Sequence, residues 1–279
     1  FDNIHDFAFF NELNQKCEQN EGKSVDELMK DGDYKLIVDT LLNIRGLNYG
    51  QLPKGLLSFH KYDDGVRTPI EEHLVEAALY AASNKQAYVH FTISHEHLEL
   101  FKQKVTEKIA QYEAKYDVKL NVSYSEQKPS TDTIAVNPDN SPFRNDDGSL
   151  LFRPGGHGAL IENLNDLEAN IVFIKNIDNV VPDRLKKETI DWKMVIAGKL
   201  VELQKQTFDY LHLLDKGCYT RTELEEILSF LQHDLFCESS EAKTLDDNSL
   251  AQYLYEKLNR PMRVCGMVKN VGEPGGGPF

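Results

Sequence analysis

A glycine-rich segment near the middle of the chain carries the residue types that let a backbone approach a ligand closely. Gly155, Gly156 and Gly158 surround His157, a proline precedes them, and apolar residues at helical spacing follow. Glycines lack the Cβ atoms that would keep a ligand away, and the N–H groups at the start of a helix attract an anion or a polar base edge. The same cluster is also typical of a tight turn that needs positive φ. The segment therefore predicts a glycine-rich loop before a helix, either as a ligand loop or as a plain turn.

A carboxylate at the end of an apolar run is the second candidate. Residues 169–177 are mostly apolar, which predicts a central buried strand, and Asp178 follows them directly. An aspartate at the carboxyl tip of a parallel strand is well placed to hold Mg²⁺, which prefers one or two carboxylates together with substrate phosphates. A surface aspartate in the turn at residues 176–182 fits the position equally well. Asp178 is thus either a metal ligand, with Mg²⁺ as the predicted cofactor, or a turn residue.

Two further polar side chains lie next to predicted strands. Gln127 comes shortly after the predicted strand at residues 118–124, and open parallel sheets bind their ligands beyond the carboxyl ends of the strands. Lys54 stands between a proline and a glycine, just before a short apolar run. Each also has an ordinary interpretation, since Gln127 suits a turn-capping amide and Lys54 a solvated loop lysine.

An alternation of strands and helices must position these side chains. The sequence predicts strands at residues 56–59, 87–93 and 118–124 and helices at residues 69–82 and 94–116. The first of these helices begins with a capping box and has proline at its first position. Such an alternation is typical of a three-layer α/β fold, in which helices flank a mostly parallel sheet.

The ends of the chain differ from this central part. Residues 1–50 are predicted to be a helical preamble or insertion without chemistry of its own, and residues 51–279 form the predicted α/β domain. Beyond residue 182 the apolar spacing is helical until a short final strand. These later elements are predicted as helices at residues 184–214, after residue 220 and at 250–258, and as a strand at 262–268.

Charge and composition exclude several classes of function. The 279 residues carry a formal net charge of −14, which argues against non-specific binding to nucleic acid, because such binding depends on clustered Lys and Arg. No apolar run is long enough to cross a bilayer, so no membrane partner is expected. The four cysteines show neither CxxC pairing nor zinc-finger spacing, which indicates reduced thiols in a cytoplasmic protein. The expected partners are small molecules, and the oligomeric state stays open.

The order of these motifs resembles that of UDP-sugar pyrophosphorylases. The matching motifs are the Pro-Lys-Gly element at Lys54, the helix start at Thr68, Gln127 after a strand, the Gly-Gly-His-Gly loop and the aspartate at a strand tip. Over most of its length the chain resembles a bacterial domain-of-unknown-function family of the nucleotide-diphospho-sugar transferase fold, notably at residues 127–133 and 151–158. The resemblance implies a GT-A-like fold, and the match to pyrophosphorylases is confined to short motifs.

The pyrophosphorylase resemblance implies a sugar nucleotidyltransferase, which joins a sugar 1-phosphate to a nucleoside triphosphate and releases pyrophosphate. Lys54 would neutralise triphosphate charge and Asp178 would ligate Mg²⁺, both as catalytic residues. Gln127 and the loop of Gly155, Gly156, His157 and Gly158 would hold the nucleobase. The candidates for phosphate or sugar contacts are Arg67 and, beside a second glycine-rich segment, Lys269 and Glu273.

The resemblance also has a departure. Pyrophosphorylases place a glycine-rich phosphate loop ending in arginine shortly before the Pro-Lys-Gly element, and residues 45–50 imitate that loop only loosely. The chain begins on Phe1, without a methionine and inside an amphipathic pattern. The resemblance therefore implies that the loop lies upstream, in a longer protein of which this chain is a fragment.

Two other classes of function remain open. A GT-A-like glycosyltransferase would usually carry an Asp-x-Asp metal motif, and the second aspartate is missing after Asp178. A non-catalytic module that binds a nucleotide or a nucleotide sugar would need no complete catalytic set. The three hypotheses share a nucleotide site and differ in the chemistry performed there.

Overall fold

The chain divides into two compact units. The structure, a computed structural model, describes residues 1–240, 242–266 and 271–272. The first unit is Phe1–Lys187 and the second is Glu188–Phe279. The predicted boundary at residue 50 falls inside the first unit and stays a prediction.

The N-terminal residues are helical, as their periodicity predicts. They form α1 (Phe10–Glu21), α2 (Val25–Asp31) and α3 (Tyr34–Leu42). Helix α2 begins at a capping box in which Ser24 and Glu27 each accept a hydrogen bond from the other's backbone N–H. These helices surround a small core of their own, with the buried side chains Ile4, Leu13, Cys17, Val25, Leu28 and Ile37.

The middle of the first unit contains a parallel pair of strands with a crossover helix. In order, its elements are β1 (His60–Tyr62), β2 (Gly65–Arg67), α4 (Pro69–Tyr80), β3 (Gln86–Thr92), α5 (Leu98–Tyr116) and β4 (Lys119–Ser125). Strands β1 and β2 form an antiparallel hairpin, whereas β3 and β4 pair in parallel over all seven residues of each strand. Helix α5 is the crossover that a parallel pair requires. The strands predicted at residues 87–93 and 118–124 are confirmed.

A hydrophobic core fixes these elements together. Helix α4 begins at the predicted capping box of Thr68 and Glu71, with Pro69 at its first position. Its apolar face packs on α5 and on the parallel strands through the buried side chains Ile70, Leu74, Val75, Phe91, Phe101, Val105, Tyr112 and Leu120. The packing holds the carboxyl ends of β3 and β4 in place, and Gln127 lies two residues beyond the end of β4.

The glycine-rich loop leads into a helical segment, as predicted. It follows a short antiparallel pair of strands, β5 (Thr133–Ile134) and β6 (Phe152–Arg153). A 3₁₀ turn then covers His157–Leu160 and continues into α6 (Ile161–Asn165).

Two predicted strands are wrong. Residues 56–59 are not a strand, because a 3₁₀ turn occupies Lys54–Leu56 and β1 begins only at His60. Residues 169–177, all of them described, form neither strand nor helix. Two of their apolar side chains, Val172 and Ile174, are 39% and 66% exposed. The apolar run predicted a buried strand within a sheet. The segment is instead partly buried and packs on a helix.

The predicted α/β class is confirmed, while the finer arrangement is not shown. In the part of the chain that is described, each sheet has two strands, and one of the sheets is parallel. The three-layer GT-A-like arrangement therefore stays a prediction.

The second unit is helical where it is described. Helix α7 (Lys186–Asp215) starts in the last residues of the first unit and is followed by α8 (Arg221–His233) and α9 (Asp247–Leu258), which confirms the predicted helices. A capping box of Thr220 and Glu223 starts α8. Its core contains Leu203, Leu224, Ile227, Leu231, Leu250 and Leu254. Residues 262–266 form no strand, and the rest of that predicted strand lies outside the described residues.

Among the helices that are described, none is long and apolar enough to cross a membrane. Cys17, Cys218, Cys237 and Cys265 are all free thiols.

Candidate functional site

The predicted catalytic lysine and the predicted metal ligand form an ion pair with each other. The Lys54 ammonium donates a hydrogen bond to the Asp178 carboxylate, although 124 residues separate them in the chain. Their side chains remain 64% and 35% exposed, so both groups are open to solvent. The pKa of Asp178 lies below its usual range, chiefly because Lys54 hydrogen-bonds to the carboxylate, and the charge of His157 adds to the effect. The structure thus brings Lys54 and Asp178 together.

The Pro-Lys-Gly element has a packing reason at its glycine. A Cβ on Gly55 would lie 2.6 Å from Cζ of Phe101 and 3.2 Å from Cγ1 of Ile177. Because Gly55 has no side chain, the 3₁₀ turn can lie directly against α5 and against the residue before Asp178. The absence of a side chain at Gly55 therefore helps to bring its neighbour Lys54 to the carboxylate.

The glycines of the Gly-Gly-His-Gly loop serve different purposes. A Cβ on Gly155 would lie 2.8 Å from the carbonyl oxygen of Thr131 and 3.6 Å from Nε2 of Gln127, so Gly155 is required by close packing. Gly156 and Gly158 are exposed, and a Cβ on either would meet nothing within 4 Å. None of the three glycines has a positive φ, so the interpretation as a turn that needs positive φ does not hold. The loop leaves its backbone accessible at Gly156 and Gly158.

Gln127 lies at the carboxyl end of β4, as predicted. Its Nε2 donates a hydrogen bond to Oγ1 of Thr131 at 3.2 Å, so part of its hydrogen-bonding capacity is used within the following turn. Asn163 of α6, which is 4% exposed, donates to Oγ of Ser125 at 2.9 Å and to the carbonyl oxygen of Glu126 at 2.8 Å. These bonds hold the helix behind the glycine-rich loop against the end of β4.

Arg67 is engaged in a buried cluster. Its guanidinium donates to Oδ1 of Asp183 at 2.8 Å, lies 3.6 Å from a carboxylate oxygen of Glu72 and stacks 3.9 Å above the ring of Tyr62. Arg67 is only 6% exposed. Its role as a phosphate contact stays a prediction, and Lys269 and Glu273 lie outside the described residues.

Three buried glutamates on α4 were not predicted as functional or structural centres. Glu71, Glu72 and Glu76 are at most 2% exposed. The Glu72 carboxylate accepts hydrogen bonds from Tyr62 at 2.6 Å and from Lys186 at 2.5 Å. The sequence predicted a capping role for Glu71 alone. An amphipathic helix normally places glutamates on its solvent face. No local signal in the sequence identifies Lys186, which lies more than a hundred residues away, as the partner of Glu72.

The segment before Asp178 lies against the same helix. Nε2 of His73 hydrogen-bonds to the carbonyl oxygen of Ile177 at 3.1 Å. One turn further along α4, Glu76 pairs with Lys175 at 2.5 Å. At the end of the helix, the rings of Tyr80 and Phe173 pack edge to face with centroids 5.0 Å apart. Helix α4 therefore carries the polypeptide that leads to Asp178.

The residues present suit Mg²⁺ only as a partner of phosphate. No group of three or more His, Cys, Asp or Glu side chains within the described residues can hold a metal ion. Asp178 offers one ionised carboxylate, and Mg²⁺ is commonly bound by one or two carboxylates together with waters and substrate phosphates. The donor set fits a metal that arrives with a nucleotide.

Comparison with known proteins gives a family. Neither the curated proteins nor the solved structures include a significant match to this chain. The sequence does match a family described as a domain of unknown function, over residues 1–279. The likeness to pyrophosphorylases stays a prediction, whereas the expected membership in a family of unknown function is confirmed. With all 279 residues matched, the chain belongs to the DUF4301 family.

Proposed function

We propose that the chain carries the nucleotide site of a sugar nucleotidyltransferase. The observation that supports this most directly is the ion pair of Lys54 with Asp178. These residues come from two separate segments that the motif order had already related to nucleotide chemistry. A chance surface ion pair would not be expected to join two residues selected for the same reaction.

The proposed reaction needs positioning and charge neutralisation more than a covalent nucleophile. An oxygen of the sugar phosphate forms a bond to the α-phosphorus, and the bond from that phosphorus to the β-phosphate oxygen breaks, so that pyrophosphate leaves. The exposed ammonium of Lys54 can exchange its carboxylate partner for triphosphate oxygens. Asp178, whose pKa is low, stays ionised at neutral pH and would hold Mg²⁺, which supplies further neutralisation of phosphate charge.

The nucleobase would bind at the glycine-rich loop. Gly156 and Gly158 have open space where a side chain would stand, so a planar base can approach their backbone. Gln127 lies beside Gly155 and offers an amide that can read a base edge. His157 lies between the two open glycines, and its charge contributes to the low pKa of Asp178.

The position of the site in the fold agrees with the proposal. In open parallel sheets, ligands bind beyond the carboxyl ends of the strands. Gln127 lies two residues after β4, and Asn163 fixes the glycine-rich helix start to the same end of that strand. The three-layer GT-A-like arrangement is part of this proposal.

A non-catalytic nucleotide-binding module is the second candidate. It is favoured by the single carboxylate at the site, since no larger group of metal ligands exists within the described ranges. A glycosyltransferase is less well supported. In an Asp-x-Asp motif that began at Asp178, the second aspartate would stand at position 180, which is a valine.

A thermal-shift screen tests the proposal. The protein is heated with UTP, ATP, CTP, GTP, dTTP or the corresponding diphosphate sugars, with and without Mg²⁺. A ligand that binds only the folded state adds about 2.7 kcal/mol of apparent stability at a hundredfold excess over its Kd. We expect one triphosphate with Mg²⁺ to raise the melting temperature of the wild type, and Asp178→Asn to lose that increase.

The chain offers a matched control for this variant. Asp117 forms an exposed ion pair with Lys85 at the opposite, amino end of the parallel strands. Asp117→Asn removes the same type of charge from the same type of pair and should keep the nucleotide response. The proposal would be contradicted if no ligand of the panel raised the melting temperature of the wild type. It would also be contradicted if the two variants responded equally. A response to a diphosphate sugar alone would favour the glycosyltransferase or binding-module hypothesis.

A further inference from the structure

We propose that His73, Glu76 and Tyr80 are positioning residues, which hold residues 173–177 against α4 and thereby present Asp178 to Lys54. The inference deepens the proposed function, on which its functional half rests. Its structural half concerns the conformation of the segment and can be measured without any nucleotide.

The contacts between helix and segment follow a regular order. His73, Glu76 and Tyr80 stand at positions i, i+3 and i+7, so they form one stripe along α4. Their partners are spaced by two residues and run in the opposite direction along the chain. The pairs are His73 with Ile177, Glu76 with Lys175, and Tyr80 with Phe173.

The burial of the segment alternates in the way these contacts require. Phe173, Lys175 and Ile177 are partly buried, whereas residues 174 and 176 are exposed. Period-2 alternation is the pattern of an extended chain with one covered face. Here a helix covers that face, so the placement of the segment depends on side chains of α4 and not on a sheet ladder.

The polar contacts are better explained by positioning than by stability. Glu76 and Lys175 are 1% and 9% exposed, and well-packed apolar side chains in place of such a buried ion pair are often equally or more stable. In addition, Oε1 of Glu76 is buried without a hydrogen-bond partner among the described residues. A buried unsatisfied oxygen is unfavourable. An ion pair and a histidine bond fix the register of the segment, which apolar contacts alone would leave free to slip.

Ile177 transmits this register to the site. Its carbonyl oxygen can only accept a hydrogen bond, so Nε2 of His73 carries the proton that joins them. Its side chain packs on the core and faces Gly55, the neighbour of Lys54. Asp178 is the next residue, so the bond from α4 fixes the peptide that carries the carboxylate.

The test compares variants of the full chain that differ in one hydrogen-bonding group. Tyr80→Phe removes the hydroxyl that donates to Glu76 at 2.9 Å, and Tyr112→Phe removes the hydroxyl that donates to Glu71 at 3.0 Å on the same helix. The second variant is the control, because the Tyr112 hydroxyl bonds to Glu71 and not to a residue that pairs with the segment. His73→Phe removes the donor to Ile177, and His73→Gln restores an amide donor close to the position of Nε2.

Two quantities are measured on each variant. Hydrogen exchange reports the amides of residues 173–178 without nucleotide, and calorimetric titration reports the affinity for UTP with Mg²⁺. We expect Tyr80→Phe and His73→Phe to accelerate exchange in this segment and to weaken UTP binding by about tenfold, the lower range for residues that orient a ligand-binding group. Tyr112→Phe should do neither, and His73→Gln should recover most of both.

Each outcome decides the inference. Unchanged exchange at residues 173–178 in both Tyr80→Phe and His73→Phe would overturn it, as would equal effects of Tyr80→Phe and Tyr112→Phe, which would indicate a general loss of stability. If the segment loosens while UTP affinity stays unchanged, the positioning role is wrong. If the wild type binds none of UTP, CTP, ATP, GTP and dTTP, the proposed function fails on its own, and exchange still decides whether α4 holds the segment.

Discussion

Two clusters of oppositely charged side chains in the first unit differ in their exposure to solvent. Around Glu72, the cations Arg67 and Lys186 are at most 7% exposed and are already hydrogen-bonded to carboxylates or carbonyl oxygen. At the other group, Lys54 and Asp178 are 64% and 35% exposed and have each other as partners. A buried cation with several fixed partners cannot leave them for a ligand without exposing an unpaired charge to a low dielectric. An exposed pair can exchange partners, and we therefore assign ligand binding to the exposed pair.

The largest effect that separates the two groups is expected from Glu72→Gln. The change leaves Arg67 and Lys186 without their shared carboxylate in the interior, and breaking such a buried pair costs about 3–5 kcal/mol. Urea unfolding followed by circular dichroism measures the free energy of unfolding. Should this variant not fold, Tyr62→Phe removes the hydrogen bond to Glu72 and the one accepted from the backbone N–H of Asp183, and should cost about 2 kcal/mol. Unchanged stability in both variants would show that the cluster is not a structural centre.

Lowering the pH should have a smaller effect on the free energy of unfolding. Burial favours the neutral form of Asp183, but the hydrogen bond and charge of Arg67 outweigh it and hold the pKa of Asp183 below its usual range. A carboxyl with a depressed folded-state pKa contributes stability above its unfolded pKa of about 3.9, and this contribution is lost as pH falls through the lower folded-state value.

Asp183→Asn should therefore be less stable than the wild type by about 1 kcal/mol at pH 6, since solvent screens a side chain that is 38% exposed. The difference between the two proteins should shrink toward zero as the pH is lowered below the unfolded-state pKa. Urea unfolding at a series of pH values measures this difference. A constant difference across the series would contradict the assigned ion pair.

The smallest effect on stability is expected from Lys54→Ala. Exposed ion pairs contribute about 0–1 kcal/mol, so the free energy of unfolding should change by about 0.5 kcal/mol or less. The same variant should lose the thermal response to a triphosphate with Mg²⁺, which separates binding from stability. A decrease of several kcal/mol in the free energy of unfolding would place Lys54 with the structural cluster and remove the contrast between the two groups.

Local signals predicted the parts of the fold that local interactions specify. The capping box of Thr68 and Glu71, the strands β3 and β4, and their crossover helix follow from periodicity and from residues three positions apart. The order of motifs selected Lys54 and Asp178 as site residues, but neither that order nor any local pattern predicted the ion pair between them.

The misassigned segment shows what local signals lack. Residues 169–177 are mostly apolar, and the sequence contains nothing that says whether a strand or a helix covers them. The partners are His73, Glu76 and Tyr80, about a hundred residues earlier in the chain. Glu72 was missed for the same reason, because its burial depends on β1, β2 and Lys186 folding over the polar side of α4.

The most direct test of the account is a calorimetric titration of UTP with Mg²⁺ into the wild type, Asp178→Asn and Asp117→Asn. The account predicts saturable binding to the wild type and to Asp117→Asn, and a loss of at least about tenfold in affinity for Asp178→Asn, in the range typical when a metal-binding group is lost or misplaced. Equal affinity in all three proteins would contradict the assignment of Asp178. If CTP, ATP, GTP and dTTP also give no binding to the wild type, the claim of a nucleotide site is wrong.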